Sequence, residues 1–236
     1  MQFTALAPQL WGATHRGVNV FAIVHNGATV LIDSGVPAAA GPLLHALRRL
    51  PPVHDLVITH AHYDHSGAAA ALQAATGATV WAHPSDAQLL AAGRWRRQVS
   101  ASPTFHGRLG TWVVNRTAPE VVAAIADCKP AREGNTLPIG GGIAVIEAPG
   151  HSAGQIALRW RAPDRTEVLF AADTVVHLLG LREPLLYEDR AAGIASIVKL
   201  AQHSRSVALM VFGHGAALGN PAEPLARFAE KLSSEA

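Results

Sequence analysis

The sequence predicts a mixed α/β fold, and three observations carry that prediction. Short β-rich runs alternate with helix-period segments up to about residue 93, three further strand-like runs lie between residues 142 and 172, and a helix, a strand and a helix follow them. Composition agrees: 49% apolar and 15% charged residues in a chain of 236 support an ordinary buried core. A single domain over 1–236 is expected, with an insertion at about 94–133, where the regular pattern weakens.

Residues 19–25 and 28–33 are β-rich and flank Asn26-Gly27, a dipeptide that tolerates positive φ at both positions and so favours a tight hairpin, with which the chain is expected to open. The stretch 37–50 places Leu43, Leu44, Leu47 and Leu50 at helical spacing and stops at Pro51-Pro52, after which 55–59 reads as a buried strand. An Ala-rich helix over 66–76 ends at Gly77, and a strand over 78–82 follows. Between 94 and 133, Trp95, Phe105, His106, Arg108, Trp112 and Arg116 are scattered among turn formers, with one helix expected at 119–127. This insertion either covers the active site or forms a subunit interface. Strands over 142–147, 155–161 and 167–172, with turns at Pro149-Gly150 and Pro163-Asp164, predict a second sheet. Ile194, Ile197, Val198 and Leu200 mark a helix over 191–203, a strand covers 207–212, and a last helix covers 221–232; no internal repeat is evident.

The N-terminal residues lack the basic and apolar segments of a secretory signal, and no run reaches transmembrane length. Cys128 is the single cysteine, which excludes an internal disulfide and fits a reducing compartment, so a cytoplasmic location is expected. A net charge of +2 is too slight to imply nucleic acid, although Arg94, Arg96 and Arg97 surround Trp95, as a solvated face or a substrate-facing one. The expected partner is a small-molecule substrate, with no nucleic acid and no membrane, and homodimerisation is left open.

Chemistry concentrates in Thr59-His60-Ala61-His62-Tyr63-Asp64-His65-Ser66-Gly67, behind the apolar strand 55–59. His60 and His62, two apart on extended chain, point to one side, while Asp64 and His65 lie beyond the turn and face another way. One loop can therefore serve two metal ions. The isolated His15, His25, His45, His54, His83 and His203 carry no such context and read as ordinary surface or core residues.

This loop resembles the signature of the metallo-β-lactamase superfamily of metal-dependent hydrolases, and specifically its small single-domain glyoxalase II-like or lactonase-like members. Pro149-Gly150-His151-Ser152-Ala153-Gly154 is similar to that family's second histidine motif, Phe170-Ala171-Ala172-Asp173 to its strand-end aspartate, Phe212-Gly213-His214-Gly215 to its last histidine, and Val30-Leu31-Ile32-Asp33-Ser34-Gly35 to its opening motif. The resemblance covers roughly residues 19 to 216 and implies a four-layer αβ/βα sandwich. It also implies a ligand set: His60, His62 and His151 on one ion, Asp64, His65 and His214 on the other, Asp173 bridging, and Asp33 bracing the loop without coordinating. Two divalent ions are expected, with zinc first and iron or manganese accepting the same donors.

The implied function is hydrolysis of a small ester-like bond, a thioester, lactone or carboxylic ester, by a metal-bridging hydroxide, with Asp64 orienting the water and passing its proton. Tyr63 is placed to donate to an oxyanion, and His177 to meet the leaving group, each against a plain packing role; Cys128 reads as a small hydrophobe. The alternatives are a mononuclear-iron persulfide dioxygenase-like enzyme, or a β-lactam or phosphodiester hydrolase. Thr174-Val175-Val176-His177-Leu178-Leu179-Gly180 lacks the segment that follows the aspartate in the dioxygenases, and the short stretch after His214 leaves no room for the glutathione-gripping helical domain of hydroxyacylglutathione hydrolases.

Overall fold

The structure, a computed structural model, describes residues 1–235. Its first four strands, β1 Thr4–Ala7, β2 Leu10–His15, β3 Val18–His25 and β4 Ala28–Ile32, form an antiparallel meander. The turn between β3 and β4 is Asn26-Gly27, with φ of 48° and 75°, as the dipeptide predicts. That hairpin does not open the chain, however. β1 and β2 precede it and escape sequence reading because β1 lies mostly exposed, without an alternating apolar face, and Gly12 interrupts β2.

A single 3₁₀ turn at Pro37–Ala39 leads into α1 Ala40–Leu47; then come β5 Val53–Ile58, α2 Tyr63–Ser66, α3 Ala69–Thr76, β6 Thr79–Ala82 and α4 Pro84–Ala91. β7 Ser100–Ala101, α5 Phe105–Thr117 and β8 Cys128–Pro130 follow. β5, β6 and β8 add in parallel to β4 and complete a seven-stranded sheet, β1-β2-β3-β4-β5-β6-β8.

The helix expected at 119–127 is absent, and the helix of this region is α5 instead. Pro119 and the β-branched Val121 and Val122 oppose helix in that stretch, and its backbone is claimed elsewhere: Val122 N donates to Gly93 O at 3.0 Å and Ile125 N to Leu90 O at 3.0 Å. Ile125 is then buried against the first sheet. α5 is started by Thr104, whose hydroxyl accepts from Gly107 N at 3.0 Å, and its two glycines hide it from a propensity reading.

The second half contains β9 Thr136–Leu137, β10 Ile143–Glu147, β11 Ile156–Arg161 and β12 Glu167–Phe170, then the small hairpin β13 Val176–His177 with β14 Leu181–Arg182. β15 Leu186–Tyr187 pairs with β7, and α6 Arg190–His203, β16 Leu209–Val211, β17 Leu218–Gly219 and α7 Ala222–Ser234 complete the fold. The second sheet runs β17-β16-β12-β11-β10-β9.

Period-two alternation sorts each strand between two interfaces. Phe21 and Ile23 of β3, Val30 and Ile32 of β4 and Val57 of β5 face Val145, Leu158, Trp160, Val168, Phe170 and Val211 of the other sheet in one continuous core. Phe21 meets Phe170 edge-on, with ring centroids 5.5 Å apart, a pairing worth about 1 kcal/mol beyond its buried area. Residues of opposite parity pack outward: Val20, Leu31, Leu56 and Ile58 against α1, α3 and α4, and Leu169 and Met210 against α6 and α7. Two sheets thus lie face to face with helices outside both, the four layers that the resemblance implies. No helix among the described residues is long and apolar enough to cross a membrane.

Candidate metal centre

Every candidate ligand leaves the end of a strand. β5 delivers the loop from Thr59 to Ser66, β4 is followed by Asp33, β12 by Asp173 and β16 by His214, while His151 sits in the connection from β10 to β11. Carboxyl ends of parallel strands are where an α/β fold presents groups without disturbing its core. The strand expected over 167–172 ends at Phe170, because Ala172 turns the chain at φ 49° and aims Asp173 inward. Asp33 likewise sits at φ 61°. Such left-handed backbone at non-glycine residues costs on the order of 1–3 kcal/mol and persists where surrounding contacts enforce it.

The structure brings all seven predicted side chains together. His60, His62 and His151 form one group, His60, His65 and Asp173 a second, and Asp64, His65 and His214 a third, each with its candidate ligand atoms within 4.8 Å of one another. His62 Nδ1 lies 2.8 Å from His151 Nε2, and His65 Nε2 lies 3.4 Å from His214 Nε2. Asp173 stands between the groups, with Oδ2 at 3.6 Å from His151 Nε2 and 3.2 Å from His214 Nε2, and Oδ1 at 3.5 Å from His65 Nε2.

The outer nitrogens decide what the inner ones offer. His151 Nδ1 donates to Leu186 O at 2.8 Å, His214 Nδ1 to Gly17 O at 2.9 Å and His65 Nδ1 to Asp33 Oδ2 at 2.9 Å. Thr59 Oγ1 donates to Asp33 Oδ2 at 2.9 Å, so it accepts from His60 Nδ1 at 3.1 Å. With Nδ1 engaged outward, each of these four imidazoles turns its Nε2 into the cluster. His60 Nε2 and Asp173 Oδ1 are buried without a hydrogen-bond partner among the described residues. Buried acceptors left unpaired are costly, and nitrogen and carboxylate lone pairs converging on one space fit divalent cations such as zinc, iron or manganese.

The two sides of the cluster differ electrostatically. Burial, reinforced by the neighbouring imidazoles, holds the pKa values of His60 and His62 well below the ordinary value, and burial also lowers His151. Burial opposes charge at His65 too, but Asp173, Asp64 and Asp33 outweigh it and push that imidazole up to about 10; His214 rises for the same reason. Conversely, burial would raise Asp64 and Asp173, yet the facing histidines hold both below the usual carboxylate range. One side is thus a nitrogen cradle that resists protonation and keeps its lone pairs free, and the other an acidic one that favours positive charge.

Supporting residues include several that sequence reading did not single out. Asp86, fully buried on α4, accepts from Ala61 N at 2.8 Å, from Ser152 Oγ at 2.7 Å and from Arg97 Nη1 at 2.9 Å, tying both histidine loops together. Glu188 accepts from Ala153 N at 2.8 Å and pairs with the same guanidinium. Asn19 Nδ2 donates to Phe212 O at 3.0 Å and Gly215 O at 2.7 Å, fixing the loop that carries His214. Gly213 is required there, because a Cβ would lie 2.0 Å from Asp173 Oδ1. In sequence these residues resemble ordinary turn and cap formers, and no spacing sets them apart.

Other candidates separate by position. Trp95 packs edge-on against His62 and Tyr63, with centroids 5.9 Å and 5.0 Å away, and is held by a bond from its indole nitrogen to Pro119 O. Arg97 is turned into Asp86 and Glu188, and Trp112 is exposed under the guanidinium of Arg116. The Tyr63 phenol is raised by burial. His177 Nδ1 donates to Ala216 O at 2.8 Å, which commits the ring to bracing the His214 loop. Cys128 is half-buried in β8, not on a helix, and burial pushes its thiol up to about 11, in keeping with an inert small hydrophobe.

Comparison with known proteins agrees with this architecture. Among curated proteins none matches the sequence. Solved structures that superpose on it include Rm3 metallo-beta-lactamase, with a TM-score of 0.76 and 19% identity over 100% of this chain and 93% of that one. A B3 metallo-beta-lactamase with an active-site glutamic acid gives 0.72 and 21% over 100% and 90%, and MEM-A1, a subclass B3 enzyme from a soil metagenome library, gives 0.71 and 20% over 99% and 93%. At such identities the likeness speaks for the fold. The sequence itself matches the metallo-beta-lactamase superfamily over residues 13–214, and with that match the chain belongs to the metallo-beta-lactamase superfamily, as a hydrolase with a His-rich metal site.

Proposed function

We propose that the protein is a binuclear metal-dependent hydrolase of a small ester-like bond, a thioester, lactone or carboxylic ester. The observation that carries this reading is the convergence of seven ligand-type side chains into a nitrogen triad and an acidic triad, with Asp173 between them. His60, His62 and His151 would hold one ion, Asp64, His65 and His214 the other, and Asp173 both; zinc is the metal proposed first. When bound, such ions acidify water from a pKa of about 15.7 towards about 7 and polarise a carbonyl.

The chain's own residues supply the rest. Asp64, partly exposed beside the buried histidines, orients the attacking water and accepts its proton. Asp33, Thr59, Leu186 and Gly17 keep four imidazoles in the tautomer that ligation needs, so no reorganisation accompanies turnover. Trp95, itself buried, walls the His62 side against solvent. The half-buried lone cysteine accords with a reducing, cytoplasmic setting.

A second reading, β-lactam hydrolysis, is favoured by one observation: the solved structures named above, which superpose over nearly the whole chain, are metallo-beta-lactamases. Elemental analysis combined with a panel of thioester, lactone, carboxylic ester, phosphodiester and β-lactam substrates separates the readings. Two ions per chain and turnover of an ester-like substrate are expected, with Asp64→Ala lowering kcat far more than it raises KM. A single iron per chain, with oxygen consumed on a persulfide, would replace the proposal with a dioxygenase.

A further inference from the structure

α5 is built inside out. Its inward positions are small or polar: Gly107 lies against Ser102, Gly110 against Leu185, and Thr111 donates to Leu185 O at 3.1 Å. Its outward stripe is Phe105, Leu109, Trp112 and Val113, spaced i, i+4, i+7 and i+8, with exposures of 74%, 49%, 53% and 41%. A surface helix ordinarily turns that stripe to the core. Apart from Leu6, the exposed large apolar residues of the described chain fall only in 105–121 and 178–185, and the second stretch includes Leu178 and the fully exposed Leu179 at the tip of the β13–β14 hairpin.

Both stretches border the metal loops. The β7–β15 pair beside α5 contains Leu186, whose carbonyl holds His151, and the hairpin is bonded through His177 N to His214 O at 3.3 Å. Charge then selects the occupant. From residue 87 to 119 the chain carries five arginines and no carboxylate; Arg97 is paired with Asp86 and Glu188, while Arg108 and Arg116 lie exposed on α5 itself, the latter stacked on Trp112 at 4.3 Å. A second copy docked face to face through this stripe would bring like charges together. An apolar, tryptophan-containing stripe edged by arginines instead matches the interface of an anionic bilayer, where the rings enter the headgroup boundary and the guanidinium groups meet lipid phosphate.

We propose that the outward face of α5 seats the protein on an anionic lipid surface, with the Leu178-Leu179 tip as a second contact, so that the metal cleft opens beside the membrane. The sequence-level expectation of no membrane rested on the lack of a spanning segment, which surface seating does not need. The inference stands independently of the hydrolase reading.

Co-sedimentation with vesicles of phosphatidylcholine, with and without phosphatidylglycerol, tests it. Binding at least about tenfold tighter to the phosphatidylglycerol vesicles, weakened by high salt, is expected. Trp112→Ser with Leu109→Ser, and separately Arg108→Gln with Arg116→Gln, should each reduce binding at least about tenfold while metal content and thermal midpoint stay unchanged, because these side chains are exposed. Failure of the protein to bind anionic vesicles, or undiminished binding by both double variants, would overturn the proposal. A solution dimer that Trp112→Ser dissociates would assign the face to a second copy and overturn it equally.

Discussion

Asp86 shows how much of the centre depends on a residue that touches no candidate ligand atom. One carboxylate, wholly buried, receives a backbone amide from the first histidine loop, a hydroxyl from the second and a guanidinium from the segment beyond α4. Removing it leaves the buried amide and hydroxyl without an acceptor, at about 1–3 kcal/mol each, and leaves Arg97 to Glu188 alone among the carboxylates. Asp86→Ala is therefore expected to lose stability of that order in a denaturant titration and to weaken metal retention against a chelator, while Asp86→Asn, which keeps the acceptor oxygen, recovers part of both. At this scale the candidate ligands were legible and their supports were not. His60, His62, Asp64, His65, His151, Asp173 and His214 announce themselves because each falls in a short segment after a strand-like run that matches a superfamily motif. Asp86, Asn19 and Glu188 act through hydrogen bonds to groups distant in sequence, and no local pattern encodes such partners.

Among the elements, β11 and β12 carry a charge cluster that reports on the second sheet alone. Glu167 opens β12, and its carboxylate takes bonds from Arg159 and Arg161 across the pair and from Ser206. Burial would raise its pKa, but the Arg161 and Arg159 bonds prevail and hold it at about 2, below an ordinary 4.5. A depressed carboxylate stabilises the fold above its unfolded pKa and loses that contribution as pH falls towards the folded value. The stability gap between the native chain and Glu167→Gln should thus be full near neutrality, shrink below about pH 4.5 and close near pH 2, as read by denaturant midpoints along a pH series. Strands such as β3, β4 and β12 were readable because burial on both faces leaves near-continuous apolar runs. α5 and the stretch 119–127 were exchanged, since Gly107 and Gly110 mask a real helix while alanines imitate one where Ile125 is needed beneath the sheet.

The whole molecule is two sheets whose contact is closed at one end by the candidate centre. Ile156 N donates to Thr59 O at 2.9 Å, and Asn19 N to Gly213 O at 2.8 Å, so backbone bonds already cross between the halves around the ligands. Ions bound there would add to that closure by mass action, about 4 kcal/mol for a ligand at a thousand times its dissociation constant. Exhaustive chelation should lower the thermal midpoint by roughly 10 °C and raise amide exchange first in the loops at 59–66 and 213–215, with the outer helices last. Four of the seven side chains lie before residue 66 and three lie after residue 150, the last at His214. During synthesis, therefore, the early half emerges with an open, half-furnished pocket, and the remainder must be made and folded onto it before the set is whole. A metal that needs the full set would therefore join at the end of assembly, as a seal on a finished molecule and not as the seed from which the chain begins to fold.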